Sequence, residues 1–246
     1  MGRIGLLVPS SNTTVEPEFY RALPCSVTLH TARLFLTRIT PESILKMVAD
    51  METQARLLAS ADVDVIVLGA TAPSFLNGLG YDRELIGQIE KATGKTATTT
   101  STALVQAIKH VGAKRIALAS AYDEKVNAIA ASFLEASGLQ VVGMKGLALI
   151  DNLVVGRLGA DTAYDLALQV DHPDAEAIVL SCTNWPSMDA IERIERATGK
   201  SVISTTQASI WAALRIIGYH QSITGYGRLL RELAPASESQ TASQTA

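Results

Sequence analysis

Cysteine is scarce in this chain of 246 residues: Cys25 and Cys182 are all it has. Two thiols so far apart form no disulfide framework and no C-x-x-C pair, which argues against a zinc ribbon or a dithiol redox motif. Histidine is almost as sparse, and His30, His110, His172 and His220 show no H-x-x-x-H spacing. Neither a metal nor a cofactor is therefore expected. Basic charge is also lacking. The formal net charge is −3, with no block of lysine and arginine, so there is no electrostatic footprint for nucleic acid. No apolar run reaches the roughly 20 residues that span a bilayer, and no membrane partner is expected. The opening MGRIGLLVPSSN reads as a buried strand rather than as a signal peptide, and the expected location is cytoplasmic.

What the chain does have is apolar content. Hydrophobic residues make up 48% and charged residues 18%, enough for one large core or two small ones. It also repeats itself. VIVLGAT (Val65 to Thr71) returns as AIVLSCT (Ala177 to Thr183), and RIGLLVP at Arg3 returns as RIALASA at Arg115, both at an offset of 112. IEKATGK at Ile89 returns as IERATGK at Ile194, at an offset of 105. A duplicated unit with seven residues deleted between the third and fourth strands of its second copy explains both spacings. The strand candidates IGLLV, VTLHTA, VDVIVLG, IALAS, LQVVGM and AIVLS are apolar on both faces, the pattern of parallel strands covered by helices. Between them lie helical periods. In ESILKMVADMETQARLLASA the stripe is Ile44, Val48, Met51, Ala55 and Leu58, and TPES before it reads as a cap with proline at the first helical position.

The fold expected is α/β: two pseudo-symmetric parallel-sheet domains, 1–113 and 114–233, with the C-terminal segment free to cross back to the first. A disordered tail over 234–246 follows. Ligands of open parallel sheets bind beyond the C-terminal strand ends, where Ala70 and Cys182 both fall. The active site is therefore placed in the cleft between the domains.

The strand ends supply the candidate residues. LSCTNWPSMD puts Cys182 between a buried strand and a helix starting near Ser187, with Thr183 and Asn184 offering amides and polar side chains to an anion. The plainer alternative is a cysteine packed as a small hydrophobe. GATAPSFLNG brings the hydroxyl and N–H of Thr71, the N–H of Ala72, Ser74 as a further donor, and an apolar wall of Pro73 and Phe75. VPSSNTT follows the first strand with Pro9, Ser10 and Asn12, which can bind an anion or simply cap a helix. The repeat sets Tyr122 opposite Ser10, where a phenol can donate to a carboxylate. Asn152 and Arg157 in DNLVVGR are further carboxylate partners. Cys25 reads as structural.

These motifs together, VPSSNTT, GATAPSFLNG, GYDRELI, TTTSTA, ALASAYDEKVN, DNLVVGR, LSCTN and TGYGRLL, resemble the aspartate/glutamate racemase superfamily, in its branch of maleate cis-trans isomerases and arylmalonate decarboxylases. The resemblance spans about residues 3–231. It implies a flavodoxin-like fold in both halves and a small mono- or dicarboxylate substrate. A homo-oligomeric state is left open. The family's usual pattern sets one cysteine at each strand end, and Ala70 departs from it. The decarboxylases, by resemblance, keep only the second cysteine, which implies a lyase with Cys182, Tyr122 and Thr71 catalytic. On this reading Pro9, Ser10, Asn12, Ala70, Ala72, Pro73, Asn152, Thr183 and Asn184 bind substrate. PSSNTT and DNLVVGR look isomerase-like, so an isomerase or racemase whose first cysteine is replaced by Ala70 stays open. So does a non-catalytic carboxylate binder.

Overall fold

The computed structural model describes residues 2–38 and 40–233; the tail from 234 to 246 lies outside them. The first half runs β1 (Gly2–Pro9), α1 (Val15–Ala22), β2 (Val27–Leu34), α2 (Pro41–Ala49), α3 (Met51–Ser60), β3 (Val65–Leu68), α4 (Thr71–Phe75), α5 (Tyr81–Thr93), β4 (Thr96–Thr99) and α6 (Thr100–His110). The second runs β5 (Arg115–Ser120), α7 (Glu124–Ala136), β6 (Gln140–Gly146), α8 (Asn152–Gly156), α9 (Ala160–Val170), β7 (Ala177–Ser181), a 3-10 turn (Met188–Ala190), α10 (Ile191–Thr198), β8 (Ser201–Ser204), α11 (Thr205–Ile216) and α12 (Arg228–Arg231).

Each half holds one parallel four-stranded sheet. The orders are β2-β1-β3-β4 and β6-β5-β7-β8, the same topology twice. The inner strands β3 and β7 are buried along their whole length, as strands covered on both faces must be. The copies also share their fastenings. Arg3 N donates to Asp64 Oδ2 at 2.7 Å, and Arg115 N to Glu176 Oε2 at 2.9 Å. Ala97 N donates to Glu90 Oε1 at 3.1 Å, and Val202 N to Glu195 Oε1 at 3.3 Å. Equivalent bonds at equivalent positions tie each sheet to its connections, which supports the duplication on grounds beyond the strand phrases.

The halves dock through their last long helices, α6 and α11, where Thr100 Oγ1 and Ser209 Oγ are bonded at 3.0 Å. The segment after α11 stays with the second half, α12 packing on α11 and β8. It reaches the first half through Tyr226, whose hydroxyl donates to Arg21 O at 3.0 Å.

Two local expectations change. The period over 42–61 is two helices, with a break at Asp50, a weak interior helix former. Asp50 N turns back to Met47 O at 3.3 Å in a tight turn. Met47 rather than Val48 is then buried alongside Ile44, Met51, Ala55 and Leu58. The cap before α2 follows the sequence: the Thr40 side chain accepts from Ser43 N. The helix after Cys182 is preceded by the 3-10 turn, so α10 starts at Ile191, later than expected. Among the described residues, no helix is long and apolar enough to cross a membrane.

Candidate active site

The C-terminal ends of β1, β3, β5 and β7 meet with α8 around one cavity. It is lined by Pro9 and Asn12, Leu36 and Ile44, Ala70 to Pro73, Tyr122, Asn152, and Cys182 to Asn184. Both halves contribute, so the site exists only when they are docked.

A buried hydrogen-bond network holds the seam. Asn12 Nδ2 donates to Thr183 Oγ1 at 3.2 Å, and that hydroxyl donates to Gly69 O at 3.2 Å. Asn12 Oδ1 accepts from Thr14 N and Val15 N at 2.9 and 3.0 Å, which fixes the turn that leads into α1. Asn184 Oδ1 accepts from Thr13 N at 2.9 Å, and its Nδ2 donates to Asn152 O. Asn152 Nδ2 donates to Ser11 Oγ at 2.8 Å. Asn12 and Asn152 each retain a second N–H for a ligand, since an amide carries two. Gly156 lets these loops come together: a Cβ there would lie 2.5 Å from Thr13 Oγ1 and 3.0 Å from Asn184 Oδ1.

Cys182 is held by its backbone. Its N–H donates to Thr205 Oγ1 at 3.2 Å, its carbonyl accepts from Trp185 N at 3.1 Å, and its φ is 155°, where L residues are rare. Burial pushes the thiol above its ordinary value. The amide of Asn184, the phenol of Tyr122 and, less, the amide of Trp185 pull it down without cancelling the rise, and Glu18 adds to it. The Trp185 N–H is largely spent on the Cys182 carbonyl, so its hold on the sulfur is weak. Burial also drives the Tyr122 phenol well up, and Cys182 beside it adds to that. At neutral pH both groups hold their protons. Thr71 begins α4, so the amides of Thr71 and Ala72 have no helical carbonyl to bind. The Thr71 hydroxyl is buried beside Tyr122 yet lacks a well-formed hydrogen bond. The cavity wall named above is electrically neutral, so any carboxylate in it is held by dipoles.

Ser10 behaves differently from its neighbours. Its hydroxyl accepts from Leu36 N at 3.0 Å and donates to Leu36 O at 3.2 Å, pinning the chain after β2 rather than lining the cavity. Arg157 is on the surface. Ser74 turns inward to Ser101 Oγ at 2.6 Å. Phe75 packs edge-on behind Tyr122 at 6.4 Å and does not reach the cavity. Cys25 is exposed. Leu36 and Ile44 form the apolar wall that sequence reading missed. Ile44 carried only a core signal, and Leu36 follows β2 in a loop with no periodicity.

Comparison with known proteins agrees with this architecture. The chain is 32% identical to an arylmalonate decarboxylase of Bordetella bronchiseptica, covering 93% of this chain and 96% of that one. It is 30% identical to a maleate isomerase of Pseudomonas putida, with the same coverage. The crystal structure of a maleate isomerase from Pseudomonas putida superposes with a TM-score of 0.91 at 28% identity, covering 94% of this chain and 99% of that one. The family model described as arylmalonate decarboxylase matches residues 4–230. The chain belongs to the arylmalonate decarboxylase family.

Proposed function

We propose that this protein is a cofactor-independent decarboxylase of a substituted malonate and that Cys182 is its proton donor. The observation that carries this reading is a single protonated thiol in a cavity whose other strand end bears the methyl group of Ala70. One acid on one face suits a reaction that needs one proton delivered once. Two-sided acid–base chemistry would need a partner where Ala70 stands.

The retained carboxylate is held by the Thr71 hydroxyl, the Ala72 and Thr183 amides and the Tyr122 hydroxyl. The departing carboxylate lies against Leu36, Ile44 and Pro73, where loss of hydration favours release as neutral CO2. The bond from the α carbon to that carboxylate breaks. Its electron pair passes into an enediolate across the α carbon and the retained carboxyl group. Donors fixed in advance on those oxygens supply most of the rate, roughly 3–4 kcal/mol each. The Cys182 proton then goes to the α carbon, and the thiolate recovers a proton from water. The raised thiol suits this role, because a nucleophile would need the opposite shift.

Asn12 and Asn152 favour a second reading. Their free N–H groups suit a small dicarboxylate, as in a maleate isomerase acting without its first thiol. The deciding experiment is a proton NMR time course in D2O with an arylmethylmalonate and maleate together. Deuterated monoacid, lost in Cys182→Ala, is expected. Fumarate instead would replace the decarboxylase reading with the isomerase one, and binding with no product would leave a carboxylate binder.

A further inference from the structure

Glu18 is a buried ionisable group with no part in the chemistry above. It lies on α1 and is 2% exposed. Its Oε1 accepts from Ser187 N at 3.0 Å and Met188 N at 3.1 Å, both on the segment that leaves Cys182 in the other half. Ser187 precedes the 3-10 turn without capping it, so the cap comes from Glu18, 169 residues away. Its Oε2 is buried without a well-formed bond, and so is the hydroxyl of Thr206 beside it. A glutamine could accept from the same two amides without the cost of burying a charge. What the carboxylate adds is a charge that can come and go beneath the segment that follows Cys182.

We propose that Glu18 is a positioning residue for Cys182: it anchors the segment from Cys182 to Met188 across the seam, and the charge on its carboxylate strengthens the hold of the thiol on its proton. This rests on the reading of Cys182 as proton donor.

The surroundings set when that charge is present. On α1, Arg21 favours the charged form but is paired with Asp189 of the 3-10 turn at 3.4 Å. Glu16 on the same helix is paired with Arg33 of β2. Cys182 at the end of β7 and Tyr226 ahead of α12 face Glu18 without offering a cation. From α11, Thr206 offers a hydroxyl. Burial outweighs these and pushes the carboxyl up to about 7. Below that pH Glu18 is neutral. Above it the carboxylate adds to the rise that burial already gives the thiol, further favouring the protonated form that donation requires.

The test follows both protons directly. Protein carrying Cys25→Ser is labelled with 13C at the cysteine β carbon and the glutamate carboxyl carbon, then titrated by NMR without substrate. Glu18→Gln preserves an acceptor for the two amides and removes the charge. The Cys182 midpoint is expected to move to lower pH, with the circular dichroism unchanged. Thr206→Val withdraws the hydroxyl that holds Glu18 down. The Glu18 midpoint is expected to rise, and the inflection it imposes on the Cys182 signal to rise with it. A Cys182 titration in folded Glu18→Gln that superimposes on the parent overturns the proposal. So does a Cys182 inflection that ignores Glu18 in Thr206→Val, and this second arm decides if Glu18→Gln does not fold. Turnover of arylmethylmalonate is measured on the same samples. A thiol that responds to Glu18 in a protein with no turnover would refute the decarboxylase reading and leave this coupling standing.

Discussion

The ends of β3 and β7 began as the same phrase and now do different work. After β3 the chain passes through Gly69 and Ala70 straight into α4, so Thr71 and Ala72 present helix-start amides to the cavity. After β7 it makes a positive-φ turn at Cys182 and runs through Thr183, Asn184 and Trp185 before its 3-10 turn. The supporting threonines show the same divergence. Thr100 donates to Leu68 O at 3.1 Å, whereas its counterpart Thr205 accepts from Cys182 N at 3.2 Å. A duplicated scaffold can thus keep its sheets and bracing while one strand end presents helix-start amides and the other a buried thiol. The seven-residue difference in length falls where this divergence lies, between the third and fourth strands of each half.

That contrast can be broken most severely at the thiol. Cys182→Ala should lower the decarboxylation rate by about 10³-fold, read as monoacid formation by NMR, and full activity would remove Cys182 from the mechanism. Breaking the cradle comes next. Thr71→Ala should cost about 10²-fold or more in kcat, with a smaller change in KM, because its hydroxyl serves charge that develops in the transition state. Ala70→Cys restores symmetry instead. A thiol on each wall should protonate either face, so the monoacid should lose optical purity on chiral chromatography. Unchanged purity would mean that position 70 does not reach the α carbon.

Smaller effects should appear in stability. Glu18 has its folded pKa raised from 4.5 to about 7, so the native state holds this proton more tightly than the unfolded chain does. Stability from this group is therefore full below about pH 4.5 and is lost as pH rises through 7, by about 3 kcal/mol at most. Urea midpoints of the parent should fall between about pH 5 and pH 8 by more than those of Glu18→Gln. Gly156→Ala should separate the loops around Thr13 and Asn184 at a cost of about 1–3 kcal/mol, measured as a lower Tm with both sheets intact.

Much of the site could be read from the sequence because it lies at strand ends, and a strand end is visible where an apolar run stops. Pro9, Asn12, Ala70, Thr71, Tyr122, Cys182 and Thr183 all follow that rule, and all line the cavity. Asn152 does not sit at a strand end; its signal was the DNLVVGR motif. Ser10 obeyed the same rule and still went elsewhere, because a hydroxyl at a strand end can equally bind the neighbouring loop. Leu36 and Ile44 gave no usable signal, since an apolar residue that lines a cavity has the same hydropathy as one that fills a core.

The sequence by itself determined the duplicated parallel sheets, the two strand ends that face the cavity and the single thiol that lines it. These follow from periodicity and residue type, which are local. The tertiary structure alone decided that Glu18 caps the turn beyond Cys182, that Asn12 and Thr183 bond 171 residues apart, and that Leu36 and Ile44 close the wall. Such contacts depend on how two finished halves dock. Docking is fixed by the shapes and hydrogen bonds of whole surfaces, which no short stretch of either half contains.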